Sequence, residues 1–261
     1  MRIVRFTPGP DAGLGQDPLF GVLEDDGLIS IISGDPIYSG IQKTAATIPL
    51  NKVRLLAPII PRSKVVCVGK NYADHAAEMG GVVPDEPIIF LKPNTSVIGP
   101  NDTIVWPEMS ERIDHEAELA IVIGRICKDV PKERVNDVIF GYTIANDVTA
   151  RDLQKKDGQW TRAKGFDTFC PIGPWIDTDF VPGTQKITAT IAGEVKQSAQ
   201  ISDMIFDVPT IINFVSRVMT LLPGDIILTG TPAGIGPMVA GEKATMAIEG
   251  LGELTNKLSA R

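Results

Sequence analysis

Two glutamates, Glu116 and Glu118, come directly before an apolar run of residues 119–123 that ends at Gly124. The aliphatic and β-branched residues of this run predict a strand, and a strand this apolar is expected to be buried. Side chains two positions apart in a strand point to the same face, roughly 7 Å apart. Two buried carboxylates repel each other and lose hydration, and a divalent cation removes both costs. The pair therefore predicts half of a metal site; the alternative is a solvated edge strand.

Asp147 is the third predicted metal ligand. It follows a second predicted strand, residues 140–145, and precedes the polar stretch 149–152. Strand ends are common places for functional groups. The chain has only two histidines and three scattered cysteines, so a zinc or copper site of imidazole and thiolate is a poor interpretation. Three carboxylates with open positions suit Mg²⁺ or Mn²⁺.

A second group of candidate residues lies on a predicted short helix, residues 72–79, for which Asn71 is the expected N-cap. His75 and Glu78 are three positions apart and are therefore neighbours on one helix face. A carboxylate orients an imidazole and strengthens it as a base, which is the pairing that activates a water molecule. Such pairs also occur on ordinary solvated helices, so this interpretation depends on where the helix lies.

Two cations are candidates to balance the charge of the site. Three carboxylates on one divalent ion leave a net negative charge, which would repel an anionic substrate. Arg151 and Lys164 can reverse that sign, and Lys164 lies in a segment richer in aromatic residues than its surroundings. A lysine facing the metal can stabilise a developing oxyanion. The alternative is an ordinary surface lysine.

A glycine-rich segment, residues 228–236, follows another predicted strand. It lacks the Gly-Lys-Ser/Thr ending of a phosphate-binding loop, which argues against nucleotide binding. A loop that closes on a substrate carboxylate through backbone N–H groups and Thr231 fits the residues better. A plain tight turn is the alternative.

The spacing of strand and turn signals predicts two units. Residues 1–57 form a small N-terminal β domain, whose strands 19–23 and 28–32 flank an Asp-Asp-Gly turn. Residues 58–261 form a larger domain that carries the metal site. Its few helices include one that begins after Pro131 and a longer one capped by Asp207. Its predicted strands cover residues 64–68, 88–91, 119–123, 140–145, 187–191, 195–200 and 225–229. This pattern predicts an α+β, mostly β fold rather than a doubly wound sheet.

Composition excludes some partners. The formal net charge is −7 and no cluster of Lys and Arg occurs, so nucleic acid and anionic membranes are poor candidates. No stretch of about 18 apolar residues predicts a membrane span. Cys67, Cys127 and Cys170 form no Cys-x-x-Cys pair, and we expect reduced thiols in a cytoplasmic protein.

Taken together, the motifs resemble the fumarylacetoacetate hydrolase family, in its acylpyruvase and oxaloacetate decarboxylase branch. The matching segments, in the family's order, are residues 68–75, 90–93, 115–119, 147–154, Lys164 and residues 227–232. The resemblance implies a mixed β-roll with a variable N-terminal domain, usually assembled as a homodimer. It implies the following roles: metal ligands Glu116, Glu118 and Asp147; a catalytic dyad, His75 and Glu78, on a lid helix; an active-site lysine, Lys164; and substrate contacts from Arg151, Gln154 and Thr231. Lys70 stands where many family members carry arginine.

The resemblance predicts an enzyme, acting as a lyase or hydrolase, that uses Mg²⁺ or Mn²⁺ to cleave a carbon–carbon bond in a short 2-oxo (di)carboxylate and release pyruvate. The reaction is oxaloacetate decarboxylation, acylpyruvate hydrolysis, or both. One alternative is an isomerase of the 2-hydroxyhepta-2,4-diene-1,7-dioate type, which moves a proton without breaking the carbon skeleton. Another is a non-catalytic protein that binds dicarboxylates and metal.

Overall fold

The computed structural model describes residues 1–260, and β-strands dominate it. The strands are β1 (Arg2–Pro8), β2 (Leu19–Leu23), β3 (Leu28–Ile32), β4 (Lys43–Pro49), β5 (Val53–Leu55), β6 (Val65–Gly69), β7 (Ile88–Lys92), β8 (Val97–Ile98), β9 (Thr103–Ile104), β10 (Ile113–His115), β11 (Ala117–Ile123), β12 (Ile139–Asn146), β13 (Thr149–Ala150), β14 (Cys170–Asp177), β15 (Lys186–Ile191), β16 (Glu194–Gln200), β17 (Ile226–Leu228), β18 (Gly236–Pro237), β19 (Lys243–Ile248) and β20 (Gly252–Leu258).

The α-helices are short, apart from one. They are α1 (Pro36–Ser39), α2 (Ala73–Glu78), α3 (Arg151–Asp157), α4 (Thr161–Lys164) and α5 (Val208–Val218). Single 3₁₀ turns or short 3₁₀ helices cover Pro10–Ala12, Leu50–Lys52, Asn94–Ser96, Lys132–Asp137 and Ile201–Asp203. The prediction of a mostly β, α+β fold is confirmed.

Three sheets make up the fold. The largest runs in the order β4-β3-β2-β1-β14-β12-β11-β17-β6-β7, with β5 beside β1 and β8 beside β14. A five-stranded sheet has the order β16-β15-β19-β20-β9, and a small one has the order β13-β10-β18. Most pairs are antiparallel, but β17 with β6, β8 with β14 and β9 with β20 are parallel. The sheets are therefore mixed, as the resemblance implied.

Strand β11 lies at the centre of the largest sheet, and all of its residues are buried. Leu119 and Ile121 pack into the core between this sheet, the five-stranded sheet and α5, whereas Ala120 and Val122 pack into the core on the opposite face. Both faces of the strand are thus covered, and this explains its uninterrupted apolar sequence. The solvated edge strand considered from the sequence is excluded.

The N-terminal hairpin is confirmed at the predicted boundaries. β2 and β3 pair from Leu23 with Ile29 to Phe20 with Ile32. Gly27 in the turn has φ +80°, a left-handed conformation that glycine adopts without strain. β1 pairs with β14, so the N-terminal strands continue the sheet that contains β11.

Several local predictions were wrong in detail. Asn71 does not cap α2; its side chain bonds the backbone of Phe206 and Thr229 instead, because it is buried between these segments. The helix after Pro131 is a 3₁₀ helix. α5 is capped by Asp207 as expected and ends at Val218.

Two further features bear on the predictions from composition. Among the described residues, no helix is long and apolar enough to cross a membrane. The three cysteines form no disulfide; Cys67 and Cys170 are buried and Cys127 is half-buried. Burial raises the pKa of the Cys170 thiol to about 12, so this thiol is protonated at neutral pH.

Candidate metal centre and active site

Glu116, Glu118 and Asp147 come together at one end of β11 and β12. In this antiparallel pair Ala117 lies opposite Asn146, so the next residues outward, Glu116 and Asp147, face each other. The Asp147 N–H donates to the Glu116 carbonyl at 2.9 Å. One carboxylate oxygen from each of the three acids lies within 4.8 Å of the others, and all three side chains are buried. The structure thus brings together the three predicted ligands.

Buried cations surround this triad. Lys164 Nζ lies 2.9 Å from Glu116 Oε2, 2.6 Å from Asp147 Oδ2 and 2.9 Å from Thr149 Oγ1. Burial by itself would lower the pKa of Lys164, but Asp147 and Glu116 outweigh it and raise that pKa above its ordinary value. On the opposite side of Asp147, Lys92 Nζ lies 2.5 Å from Oδ1. Lys164 therefore remains charged, and the two lysine side chains fix the orientation of the Glu116 and Asp147 carboxylates.

Glu118 has the least compensated charge of the three acids. Its Oε2 accepts a hydrogen bond from the Gly230 N–H at 2.7 Å. Burial, followed by the nearby charges of Asp147 and Glu116, raises the pKa of Glu118 well above its usual range. For Glu116, burial also acts to raise the pKa, but Lys164 and Arg151 outweigh it and lower that pKa. A hard cation would compensate the unbalanced charge, and three carboxylates are the ligand set that suits Mg²⁺ or Mn²⁺. The residues fit the predicted metal.

The His75–Glu78 pair lies on α2 above the triad. His75 is 5% exposed, and its Nδ1 lies 3.3 Å from Glu78 Oε2. Both carboxylate oxygens of Glu78 also lie 3.2 Å from the Gly234 N–H, in the glycine-rich loop. Glu78 therefore orients the imidazole and also joins α2 to that loop.

Arg151 begins α3, a helix that was not predicted from the sequence, where these residues were described only as a polar stretch. Its Nη2 donates to Glu116 Oε1 at 2.5 Å, its Nη1 to Gln154 Oε1 at 2.5 Å and its Nε to Asp114 Oδ2 at 2.9 Å. Each nitrogen of the guanidinium thus has an acceptor in the protein. Arg151 and Gln154 line the site, but the arginine already serves to orient the Glu116 carboxylate.

The predicted residues line one narrow cavity of about 350 Å³, open mouth included. Its charged and polar lining comprises Lys70, His75, Glu116, Glu118, Asp147, Arg151, Gln154, Lys164 and Thr231. Glu78 does not line the cavity; it lies behind His75, with its side chain 33% exposed. Every other predicted site residue is therefore brought to the same place. Trp160 and Phe90 form an apolar wall, with ring centroids 5.2 Å apart in an edge-to-face contact.

Sequence reasoning missed several residues that support the site. Lys92 was not among the predicted site residues, although a lysine at the end of an apolar strand was a signal. Asp114 lies between Ile113 and His115 in β10 and is buried like both of them. It accepts a hydrogen bond from Arg151 Nε. Asn146 Oδ1 accepts a hydrogen bond from the Glu116 N–H at 3.0 Å. This bond holds the backbone of Glu116, the one residue between β10 and β11. No short-range pattern indicates the last two contacts, because their partners come from distant segments.

Comparisons with known proteins agree with this architecture. The model of the fumarylacetoacetate (FAA) hydrolase C-terminal family matches residues 64–259, and that of the Rv2993c-like N-terminal family matches residues 1–58. Protein Rv2993c of Mycobacterium tuberculosis is 58% identical over 226 residues, covering 85% of this chain and 83% of that protein. The mitochondrial oxaloacetate tautomerase Fahd2a of Rattus norvegicus is 44% identical over 222 residues, covering 81% and 71%.

Solved structures give the same result over the full chain. The 5-carboxymethyl-2-hydroxymuconate delta-isomerase from Mycobacterium smegmatis has a TM-score of 0.91 and 48% identity, with 100% of both chains covered. The maleylpyruvate hydrolase from Sphingobium sp. SYK-6, in complex with manganese(II) and pyruvate, has a TM-score of 0.80 and 32% identity, with 99% of both chains covered.

Proposed function

The chain belongs to the fumarylacetoacetate hydrolase family, and from this premise we propose that it is a metal-dependent enzyme that cleaves a carbon–carbon bond in short 2-oxo acids and releases pyruvate. The reaction is hydrolysis of an acylpyruvate, decarboxylation of oxaloacetate, or both. One observation carries the proposal: the carboxylate triad and His75, the latter held by Glu78, line the same cavity.

The proposed cofactor is Mg²⁺ or Mn²⁺, held by Glu116, Glu118 and Asp147. Such an ion would act as a Lewis acid and stabilise the negative charge that the pyruvate fragment acquires when the bond breaks. The maleylpyruvate hydrolase of similar structure contains manganese and pyruvate, which supports this assignment. Lys164 and Lys92 keep the carboxylate oxygens of the ligands oriented.

For an acylpyruvate, we assign His75 as the general base. Glu78 accepts a hydrogen bond from the Nδ1–H group, which leaves Nε2 of the imidazole free to take a proton from water. The water oxygen adds to the acyl carbonyl carbon, and the bond from that carbon to the pyruvate methylene then breaks. The electron pair of this bond stays on the pyruvate fragment, which takes up the proton held by His75. The products are pyruvate and the free acid.

Lys164 contributes to this reaction mainly through its charge. Lys164 was expected to stabilise an oxyanion directly, but its three N–H groups already donate to Glu116, Asp147 and Thr149. Direct contact with an oxyanion would require one of these bonds to break. We therefore propose that Lys164 stabilises negative charge in the cavity at close range without donating to the reacting oxygen.

For oxaloacetate, the distal carboxylate leaves as CO₂ and no nucleophile is needed. The dyad is then less important than the triad. The electron pair of the broken bond stays on the pyruvate fragment, whose methylene carbon then takes up a proton from the solvent or through His75. Decarboxylation and hydrolysis therefore share the triad but differ in their need for the dyad.

Lys70 favours substrates with a second carboxylate. Arg151 and Lys164, the cations expected to offset substrate charge, already have acceptors at every nitrogen. Lys70 also lines the cavity, and within residues 1–260 its ammonium has no hydrogen-bond or ion-pair partner. It is held in a left-handed backbone conformation, φ +55°, three residues before α2 begins. A dicarboxylate such as oxaloacetate or fumarylpyruvate would pair its far carboxylate with this lysine.

A second candidate function is isomerisation or tautomerisation of a related 2-oxo acid. The similarity to the delta-isomerase and to the oxaloacetate tautomerase favours it. Both reactions move a proton and leave the carbon chain intact, which His75 as an acid–base group would accomplish. The hydrogen bond between His75 and Glu78 supports hydrolysis more directly, because it orients the imidazole to accept a proton from water.

The test is a screen of oxaloacetate, acetylpyruvate and fumarylpyruvate with Mg²⁺ or Mn²⁺, with products identified by NMR. Pyruvate and a second fragment, lost on chelation with EDTA, are the expected result. An intact but rearranged skeleton would instead establish the isomerase. Binding of oxalate with Mg²⁺ without turnover of any substrate would establish a non-catalytic dicarboxylate-binding protein. Light scattering tests the proposed homodimer.

A further inference from the structure

Gln197 is a buried polar residue in a strand that is otherwise largely exposed. β16 carries exposed side chains at most positions, yet Gln197 has no exposed surface. Burying an amide is costly unless its donors and acceptors have partners. An amide side chain has two acceptor positions and two donors. Gln197 uses all four, in contacts that connect two parts of the active site.

The oxygen of Gln197 binds the segment that carries the first metal ligand. Oε1 accepts from the Ala117 N–H at 3.0 Å and from His115 Nδ1 at 3.1 Å. These two residues flank Glu116 in the chain. Because a backbone N–H can only donate, the atom that it contacts must be the oxygen of the amide, and the orientation of the Gln197 side chain is thereby determined.

The nitrogen of Gln197 binds the glycine-rich loop. Nε2 donates to the Pro232 carbonyl and to Thr231 Oγ1, both at 2.7 Å. Since Thr231 Oγ1 is an acceptor in this bond, its own hydrogen is available to donate elsewhere. Thr231 is 2% exposed and lines the cavity. Its hydroxyl can therefore donate to an anionic substrate group inside.

The loop and β16 are also packed closely together. A methyl group placed on Gly234 would lie 2.1 Å from the Lys196 carbonyl oxygen. Gly234 is the residue whose N–H binds Glu78. The loop therefore cannot move away from Gln197 without disturbing the partner of His75.

We propose that Gln197 is a positioning residue that determines the direction in which the Thr231 hydroxyl donates its hydrogen. With the amide in place, this hydroxyl donates to the carboxylate of the 2-oxo acid. With an acceptor in place of Nε2, the hydroxyl donates to residue 197 instead and presents only its oxygen lone pairs to the substrate. This inference rests on the proposed function for the identity of the substrate, and it assigns a role that reaches the substrate through Thr231.

The decisive variant is Gln197→Glu, which keeps the shape of the side chain and converts the donor into an acceptor. We expect KM for the 2-oxo acid, and Kd for oxalate measured by calorimetry with Mg²⁺, to rise roughly 10- to 100-fold, the effect of losing one hydrogen bond to a charged group. We expect kcat to change less. Gln200→Glu is the matched control, because it adds the same charge at an exposed position of the same strand.

A double-mutant cycle separates positioning from general damage to the fold. Thr231→Val removes the hydroxyl and should weaken oxalate binding about as much as Gln197→Glu, while Thr231→Ser should retain binding. Adding Gln197→Glu to Thr231→Val should then have little further effect, because the two substitutions remove the same hydrogen bond. If Gln197→Glu does not fold, the comparison of Val with Ser at position 231 remains decisive.

The proposal is overturned if Gln197→Glu binds oxalate as tightly as the native protein, if Thr231→Val does so, or if the two effects add. Absence of oxalate binding by the native protein would also overturn it. A native protein that binds oxalate but turns over no 2-oxo acid would refute the proposed function while leaving the role of Gln197 intact. Normal turnover in Gln197→Glu would refute the role of Gln197 alone.

Discussion

Lys92 Nζ lies 2.5 Å from Asp147 Oδ1, and both side chains are almost completely buried. The ammonium also donates to the Val148 carbonyl at 3.2 Å. Lys92 thus contacts one carboxylate oxygen of Asp147, and Lys164 contacts the other. In an apolar interior, either member of such a pair is costly to bury without the other.

Lys92→Met should therefore destabilise the protein by about 3–5 kcal/mol, the usual effect of removing one partner from a buried ion pair. Urea denaturation measures this free energy of unfolding. The control is Lys43→Met, which breaks the exposed pair with Glu24. That change should reduce stability by less than about 1 kcal/mol. Equal effects of the two substitutions would show that the buried pair has no special role.

Glu116→Gln should abolish metal-dependent turnover. The substitution removes a charged metal ligand and also leaves Lys164 and Arg151 facing a neutral amide. Loss of a residue that only supports a ligand typically weakens metal binding about 10- to 100-fold, so loss of a ligand should cost at least that much. Titration with Mn²⁺ measures the affinity. Glu133→Gln, at an exposed position, should leave it unchanged.

His75→Ala should reduce acylpyruvate hydrolysis by about 10²- to 10⁴-fold, the usual contribution of a positioned base. Decarboxylation of oxaloacetate should fall less, because no water is activated in that reaction. Steady-state assays of pyruvate release from both substrates measure the difference. Near-normal hydrolysis by this variant would remove the dyad from the mechanism.

Lys70→Met should raise KM for fumarylpyruvate about tenfold, because one charge-assisted contact is lost. KM for the fumarylpyruvate ester in which the distal carboxylate is blocked should not change in this variant. Gly81→Ala should also raise KM for fumarylpyruvate, because a methyl group at position 81 would lie 2.7 Å from Lys70 Nζ and displace it. Lys257→Met, at an exposed site, is the control. An equal effect on acid and ester would contradict pairing with the second carboxylate.

Stability should fall at alkaline pH through Tyr142, whose pKa burial raises to about 12. An unfolded tyrosine has a pKa of about 10, so the folded state holds this proton more tightly. The stabilisation that this difference in pKa gives is fully present below pH 10. As pH rises through 12, the free energy of unfolding falls by about 2–3 kcal/mol. Urea denaturation at pH 7 and pH 11 should show a smaller decrease for Tyr142→Phe than for the native protein. The same decrease in both proteins would contradict the assignment.

Local patterns in the sequence were sufficient for the strands, the N-terminal hairpin, the cap of α5 and most candidate residues of the site, whereas Gln154 followed only from the family resemblance. Alternating or continuous apolar residues, Asp-Gly turns and N-cap residues act over a few positions, so the sequence displays them directly. The grouping of Glu116 with Glu118 followed from the period of a strand. Asp147 followed from its place at the end of the next strand.

Tertiary structure alone decided which charges meet. The register of β11 against β12 sets Asp147 opposite Glu116, and residues far away in the chain, such as Lys92 and Gln197, complete their surroundings. The expected free cations, Arg151 and Lys164, proved to be already bonded, whereas Lys70 has no partner among the described residues, 1–260. Such contacts join segments separated by 15 to 156 residues in the chain, and a local pattern carries no information about a partner at that distance. Their formation depends on how whole sheets pack.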